Sequence, residues 1–262
     1  MNLNLTNKTA IVCGSTQGIG RAVAVELALM GANVTLMARN ETALQAVCAG
    51  LDTASGQKHR YIVANFADTS QVKSAIENYL TQHPDVHILI NNTGGPAGGA
   101  IIDAPVDQLV QTFQNHLINN HILAQAVVPS MKKWGFGRIV NIISTSVKQP
   151  IAGLGVSNTV RAAVGNWAKT LSLELGQFGI TVNNVLPGFT KTARLDAVLA
   201  MRAQSAGTTT QAVAAQLESE IPVGRFAEAE EVAAAAAFLC SPAAASISGI
   251  NIPVDGGKTA SL

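Results

Sequence analysis

Gly14-Ser15-Thr16-Gln17-Gly18-Ile19-Gly20 follows a short β-branched run directly and opens a helical pattern that continues through Met30. Glycine suits such a turn because the chain must bend tightly and the backbone must approach a ligand closely. Bare N–H groups at a helix start also attract anions. A nucleotide pyrophosphate is the anion this geometry fits. The spacing G-xxx-G-x-G is one residue off the generic dinucleotide fingerprint, and a glycine-rich strand-to-helix turn can also be a tight connection and nothing more. The second β-branched run ends in Met37-Ala38-Arg39-Asn40, where an NAD site would present an acid to the ribose hydroxyls. No acid stands there. Arg39 offers instead a guanidinium suited to bidentate, charge-assisted contact with a 2′-phosphate, so NADP(H) is expected in preference to NAD(H). The plain alternative is a solvated surface arginine.

Such residues need a strand–turn–helix frame, and the chain supplies it repeatedly. Short β-branched runs alternate with longer helical patterns along its whole length, the signature of βαβ units. The expected fold is α/β: a Rossmann-like doubly wound seven-stranded parallel sheet in a single domain spanning 1–262. Strands are expected at 9–13, 33–37, 60–63, 88–90, 138–143, 181–186 and 251–254, with helices between them. Ser70 is expected to open one helix, and Glu228, Glu230 and Glu231 load acid onto the first turn of another. Residues 189–220 read as two short helices split by Gly207-Thr208-Thr209. Placed after the sixth strand, they would form a lid-like insertion above the carboxyl ends of the strands, where ligands bind in open α/β sheets.

Composition narrows the partners. Lys plus Arg number 17 against 16 Asp plus Glu, and charged residues make up 13% of the chain, about half the usual share of roughly 25%. So low and balanced a charge argues against nucleic acid or an anionic membrane surface. Part of the apolar or Ala-rich helical surface is expected to be buried between subunits. Cys13, Cys48 and Cys240 are too few and too scattered for a disulfide frame or a metal site, and a reducing cytoplasm fits best. No basic-then-apolar leader is read at the start, and the longest apolar run, 232–240, is too short to span a bilayer.

Gly14-xxx-Gly18-x-Gly20, Asn91-Asn92-Thr93-Gly94 after the fourth strand, Ser144 after the fifth and Pro187-Gly188 after the sixth resemble the short-chain dehydrogenase/reductase family in order and spacing. The likeness runs from the first strand to Asp255-Gly256-Gly257, and the general appearance is that of the bacterial 3-oxoacyl-acyl-carrier-protein reductases. It implies that Asn65 and Phe66 line the adenine pocket and that Asn92, Thr93 and Gly94 support the cofactor ribose. Pro187, Gly188, Thr190 and Thr192 would meet the nicotinamide. It also implies a homodimer or homotetramer joined through the helices after strands four and five.

The same resemblance exposes a departure. In the family a Ser fixes the substrate carbonyl, a Tyr phenol donates the proton, a Lys lowers the phenol pKa, and an Asn on the preceding long helix completes a relay. Ser144 matches the Ser, but Ser157 and Arg161 take the Tyr and Lys positions and His116 takes the Asn. The chain has only two tyrosines, Tyr61 and Tyr79, both ahead of the fourth strand. An alkyl hydroxyl is a far weaker acid than a phenol near pKa 10. Arg161 stays protonated, yet it can neutralise an oxyanion, clamp a carboxylate or hold the cofactor. Positions i and i+4 share a helical face, so Ser157 and Arg161 point together. His116 is the natural replacement acid by its unperturbed pKa near 6.5, although a nearby guanidinium would favour the neutral imidazole. Lys148, in the loop after Ser144, is a second candidate donor. The dull readings are a packing histidine, a capping serine and a solvated lysine.

Three functions fit. The first is an NADP(H)-dependent oxidoreductase on a small-molecule hydroxyl/carbonyl pair with a non-standard catalytic site. The second is a dinucleotide-binding sensor or partner subunit without hydride transfer. The third is a lyase or isomerase that keeps the nucleotide as a structural element. The first is preferred because every altered position retains a hydrogen-bonding side chain.

Overall fold

The computed structural model describes residues 1–261. Seven parallel strands form one sheet: β1 (Thr9–Cys13), β2 (Asn33–Ala38), β3 (Arg60–Val63), β4 (Ile88–Asn91), β5 (Gly137–Ile142), β6 (Ile180–Pro187) and β7 (Asn251–Val254). Their order across the sheet is β3-β2-β1-β4-β5-β6-β7. It matches the expected doubly wound architecture, and each expected strand lies within one residue of its observed limits. The chain reverses direction across the sheet between β1 and β4, which opens a crevice at the carboxyl ends of those strands.

Helices cover both faces, which is why the central strands are almost continuously apolar. Ala10, Ile11, Val12 and Cys13 of β1 are all fully buried. In β4, Ile88 and Ile90 point into one core while Leu89 points into the other. The first core holds α1 (Gly18–Leu29), α2 (Glu41–Ala49) and α9 (Ala229–Cys240). The second holds α3 (Thr69–Gln82), α5 (Asn119–Trp134) and α6 (Gly155–Leu175). Capping moves one boundary from its expected place: Asp68, not Ser70, opens α3, its carboxylate accepting from the Ser70 and Gln71 N–H groups. Glu228 and Glu231 form a reciprocal capping box at the start of α9.

Two features bear on the site. An asparagine row crosses four strands: Asn91 donates to Asn141, Asn141 to Asn184 and Asn184 to Asn251, each at 2.8 Å. These pairs are in register across β4–β5, β5–β6 and β6–β7, so a one-residue slip of any strand would break the row. The second feature is the long helical stretch beginning with α4 (Val106–Phe113), which passes through a π turn at Gln114–Ile118 before continuing as α5. Such turns re-aim side chains and recur at functional sites; this one carries His116.

Residues 189–220 form the two expected helices, α7 (Ala193–Ala206) and α8 (Thr210–Ser219). Gly207, at φ +62°, ends α7, and the Thr209 hydroxyl caps α8 by accepting from Ala212 N–H. The pair has its own small core of Leu195, Ala203, Val213, Leu217, Ile221 and Phe226. It thus packs as a semi-independent layer on the sheet.

Candidate active site

A cavity of about 1170 Å³ opens at the carboxyl ends of the strands, running from the β1–α1 turn to α7. That exceeds the roughly 300–1,000 Å³ of most small-molecule sites, so there is room for a long ligand and a second molecule beside it.

At one end the glycine turn is built for an extended anion. Gly14 and Gly18 sit at φ +59° and +53°, a region that favours glycine, and a Cβ on Gly14 would fall 2.7 Å from Asn92. The α1 N-cap, Gln17, makes no side-chain cap, so the first N–H groups of the helix stay open to a ligand. Thr16, Gln17, Gly18 and Ile19 line the cavity with Gly14. Ser15 and Gly20 do not. The Ser15 hydroxyl is buried, accepting from Met37 N–H at 3.1 Å, and a Cβ on Gly20 would collide with the Gly14 carbonyl. Both shape the turn from behind.

Arg39 lies on the wall with its guanidinium in no hydrogen bond or ion pair to the described residues. Asn65 and Phe66 line the same end; Asn92, Thr93 and Gly94 line the middle. The Asn92 amide donates to the Cys13 and Gly14 carbonyls at 3.2 Å each, tying β4 to the glycine turn. Pro187, Gly188, Thr190 and Thr192 close the far side. The cradle, the open helix terminus and the free guanidinium fit a phosphorylated dinucleotide.

At the other end, Ser144, Ser157 and Arg161 come together on the wall. Ser144 follows β5 and its Oγ accepts from Ser146 N–H at 3.1 Å. Ser157 Oγ accepts from Arg161 Nε at 3.1 Å, the i,i+4 bond expected on α6. Arg161 Nη1 donates to the Ile143 carbonyl at 2.6 Å and reaches the Ile142 carbonyl at 3.4 Å. Each serine therefore accepts from an N–H, which leaves its own O–H free to donate. Burial, then the neighbouring Arg194 guanidinium, hold the Arg161 pKa down to about 10. It remains a cation at neutral pH.

His116 is not on the wall. It is 5% exposed, and burial pushes its imidazole down to about 3; Arg161 pushes the same way, while the Gly94 backbone pulls back. Burial and the neighbouring cation both favour the neutral imidazole, which argues against the expected proton donor titrating near neutrality. Lys148 is also absent from the wall, where its neighbour Gln149 takes the place. Sequence reasoning missed Arg194, Arg202 and Lys258, three more cationic side chains of the lining. Two of them stand on the 189–220 insertion, whose placement over the cavity was the available signal.

An open α/β protein with a dinucleotide crevice is the class that this fold and site define. The family model described as Enoyl-(Acyl carrier protein) reductase matches residues 14–259. A 3-oxoacyl-acyl-carrier-protein reductase of Haemophilus influenzae is 34% identical over 255 residues, 97% of this chain and 98% of that protein. The NADPH-dependent reductase BacG of Bacillus subtilis is 29% identical over 98% of this chain and 100% of that protein. In structure, L-sorbose reductase from Gluconobacter frateurii, solved with NADPH and L-sorbose, superposes with a TM-score of 0.93 at 28% identity, covering 100% of both chains. The chain belongs to the short-chain dehydrogenase/reductase family. It is by that membership an NAD(P)-dependent oxidoreductase.

Proposed function

We propose that this protein interconverts a hydroxyl and a carbonyl on a small molecule, with NADP(H) and with a serine–arginine pair where its family uses tyrosine and lysine. NADP(H) is the nucleotide: Arg39 is free beside the adenine end, no acid stands with it at the end of β2, BacG is NADPH-dependent and the L-sorbose reductase was solved with NADPH. When bound, the nucleotide supplies or accepts the hydride. The chain's own work is to hold the reacting oxygen and offset its charge.

The observation that carries this reading is the direction of the hydrogen bonds. Arg161 donates to Ser157, so the Ser157 O–H is polarised by a cation and left free to donate, and Ser144 lines the same cavity. Two hydroxyl donors and a fixed positive charge suit an alkoxide-like oxygen. Neither His116, held neutral, nor Lys148, off the wall, supplies the proton; it arrives from water relayed through a serine hydroxyl. The α7–α8 layer acts as a lid whose Leu195, Val198 and Met201 shield the reacting end.

The setting is a reducing cytoplasm and a homodimer or homotetramer. All three cysteines are free, and α4 exposes Val106, Val110 and Phe113 along one stripe. The test is nucleotide titration followed by turnover. Tighter binding of NADPH than NADH, with nicotinamide oxidation dependent on an added ketone, supports the proposal. Binding without turnover across a broad set of ketones and alcohols supports instead a nucleotide sensor or partner subunit, for which the missing phenol already speaks.

A further inference from the structure

Arg161 and Arg194 approach the cavity from opposite elements, α6 and the first turn of α7. A Cβ placed on Gly95 would lie 3.4 Å from Arg161 Nη2 and 3.8 Å from Arg194 Nη2, so both terminal nitrogens converge on one spot. Arg194 Nη2 is steadied by the Pro96 carbonyl at 2.8 Å, and Arg161 is steadied by Ser157 and Ile143. Arg161 Nη2 has no hydrogen-bond acceptor among the described residues. Burial is the main cause that lowers the Arg161 pKa, and the Arg194 guanidinium adds to it.

Nothing on the wall offsets them. The acids lining the cavity are Glu220, paired with Lys258 at 2.6 Å, and Asp255, which accepts from the Gly257 and Thr259 N–H groups. Two converging guanidiniums inside a concave site repel one another, and an anion between them removes that cost while taking several charge-assisted hydrogen bonds. The wall beyond carries apolar side chains beside one carbonyl: a Cβ built on Gly98, three residues from Gly95, would lie 3.1 Å from the Gly153 carbonyl and 3.7 and 3.8 Å from Leu154 Cδ2 and Met201 Cε.

We propose that Arg161 and Arg194 form a carboxylate clamp and that the substrate is an oxo acid, or the matching hydroxy acid, with an apolar body. This rests on the hydroxyl/carbonyl reading above and names its substrate class. Ser144 and Ser157 take the reacting oxygen, Arg161 Nη2 and Arg194 take the carboxylate, and Leu154 and Met201 pack on the carbon chain.

The experiment is calorimetric titration of the NADP⁺ complex with 2-, 3- and 4-oxohexanoate and with their methyl esters, which keep the ketone and lose the charge. At least one acid is expected to bind about ten- to a hundredfold tighter than its ester, the worth of one to two charge-assisted contacts. Arg194→Gln, at an exposed position on α7, should erase that difference while leaving the NADP⁺ affinity within about twofold. The clamp is overturned if acid and ester bind alike, if no acid binds, or if the preference survives in Arg194→Gln. It is equally overturned if that variant loses NADP⁺ affinity with the preference intact, for the arginine would then serve the pyrophosphate. If NADP⁺ itself does not bind, the nucleotide reading fails, and the same titrations on the free protein still decide the clamp.

Discussion

Arg161 Nε donates to Ser157 Oγ at 3.1 Å across one turn of α6, so the two residues act as a single hydrogen-bonded unit. The guanidinium is locked a second time by the Ile143 carbonyl at the end of β5. The unit is thus fixed to both the helix and the sheet. Positive charge is delivered to a defined point, which is what stabilising a developing oxyanion requires.

Arg161→Met should lower kcat/KM about 10²–10³-fold, because it removes the cation that polarises Ser157, with an effect on the scale of a lost preorganised donor. Ser157→Ala should lower kcat by a smaller factor and leave NADPH binding unchanged, because Arg161 keeps its bond to Ile143. Steady-state kinetics with separate nucleotide titrations resolve the two. A large rise in the NADPH Kd in Ser157→Ala would place the serine on the cofactor.

Arg39→Asp should reverse nucleotide choice. Losing a charge-assisted contact worth roughly 1.5–3 kcal/mol weakens NADPH about 10–100-fold, while the new carboxylate can accept from the ribose hydroxyls of NADH. Calorimetry with both nucleotides checks it. An unchanged ratio would return Arg39 to the solvated surface.

Stability should fall in acid earlier than carboxylate titration explains. Burial holds His116 at about 3, with Arg161 adding to the effect, and burial holds His87 at about 4, with Lys8 adding. Unfolding frees both to protonate near 6.5. Between pH 6.5 and about 3 the unfolded chain therefore binds the extra protons, and the stability present above 6.5 drains away as pH drops. His116→Gln should flatten the urea-midpoint profile over that window. It should leave the activity profile without a group titrating near neutrality, as in the parent.

The sheet, its strand limits and the glycine turn were legible because each rests on local pattern: a β-branched run, a helical period, a turn that only glycine adopts. Arg39 was legible because its strand end has a fixed place in the crevice. The arginine pair was not, since Arg161 and Arg194 stand on different elements, α6 and α7, and meet only when the insertion is folded. The burial of His116 was illegible for a related reason. Its residue type suggested an acid, but the π turn that buries it leaves no mark in spacing. The asparagine row was likewise invisible, because Asn91, Asn141, Asn184 and Asn251 are scattered until register aligns them.

That row should carry stability. Asn141 is fully buried, accepts from Asn91 and donates to Asn184. Asn141→Leu leaves one donor and one acceptor unpaired in the sheet at about 1–3 kcal/mol each. Chemical denaturation should register a loss of a few kcal/mol with an unchanged m-value. A loss below about 0.5 kcal/mol, the range of an ordinary surface change, would mean the neighbours re-pair.

Replacing Ser157 by Tyr and Arg161 by Lys together tests whether the site is repurposed or merely degraded. The pair would restore a phenol and its tuning cation on the same face of α6, so a degraded reductase should gain activity on simple ketones with NADPH. Little or no gain is expected. A phenol is far larger than a hydroxymethyl group and would occupy space on the wall that Ser157 leaves to the substrate. Lysine lacks the planar fork with which Arg161 reaches Ser157 and the Ile143 carbonyl at once, so that carbonyl would lose its present partner. Steady-state turnover across neutral ketones and oxo acids decides the matter. If the double variant reduces neutral ketones faster than the parent reduces any compound tested, the serine–arginine unit is a relic of lost catalysis and the natural protein is a nucleotide-binding relative.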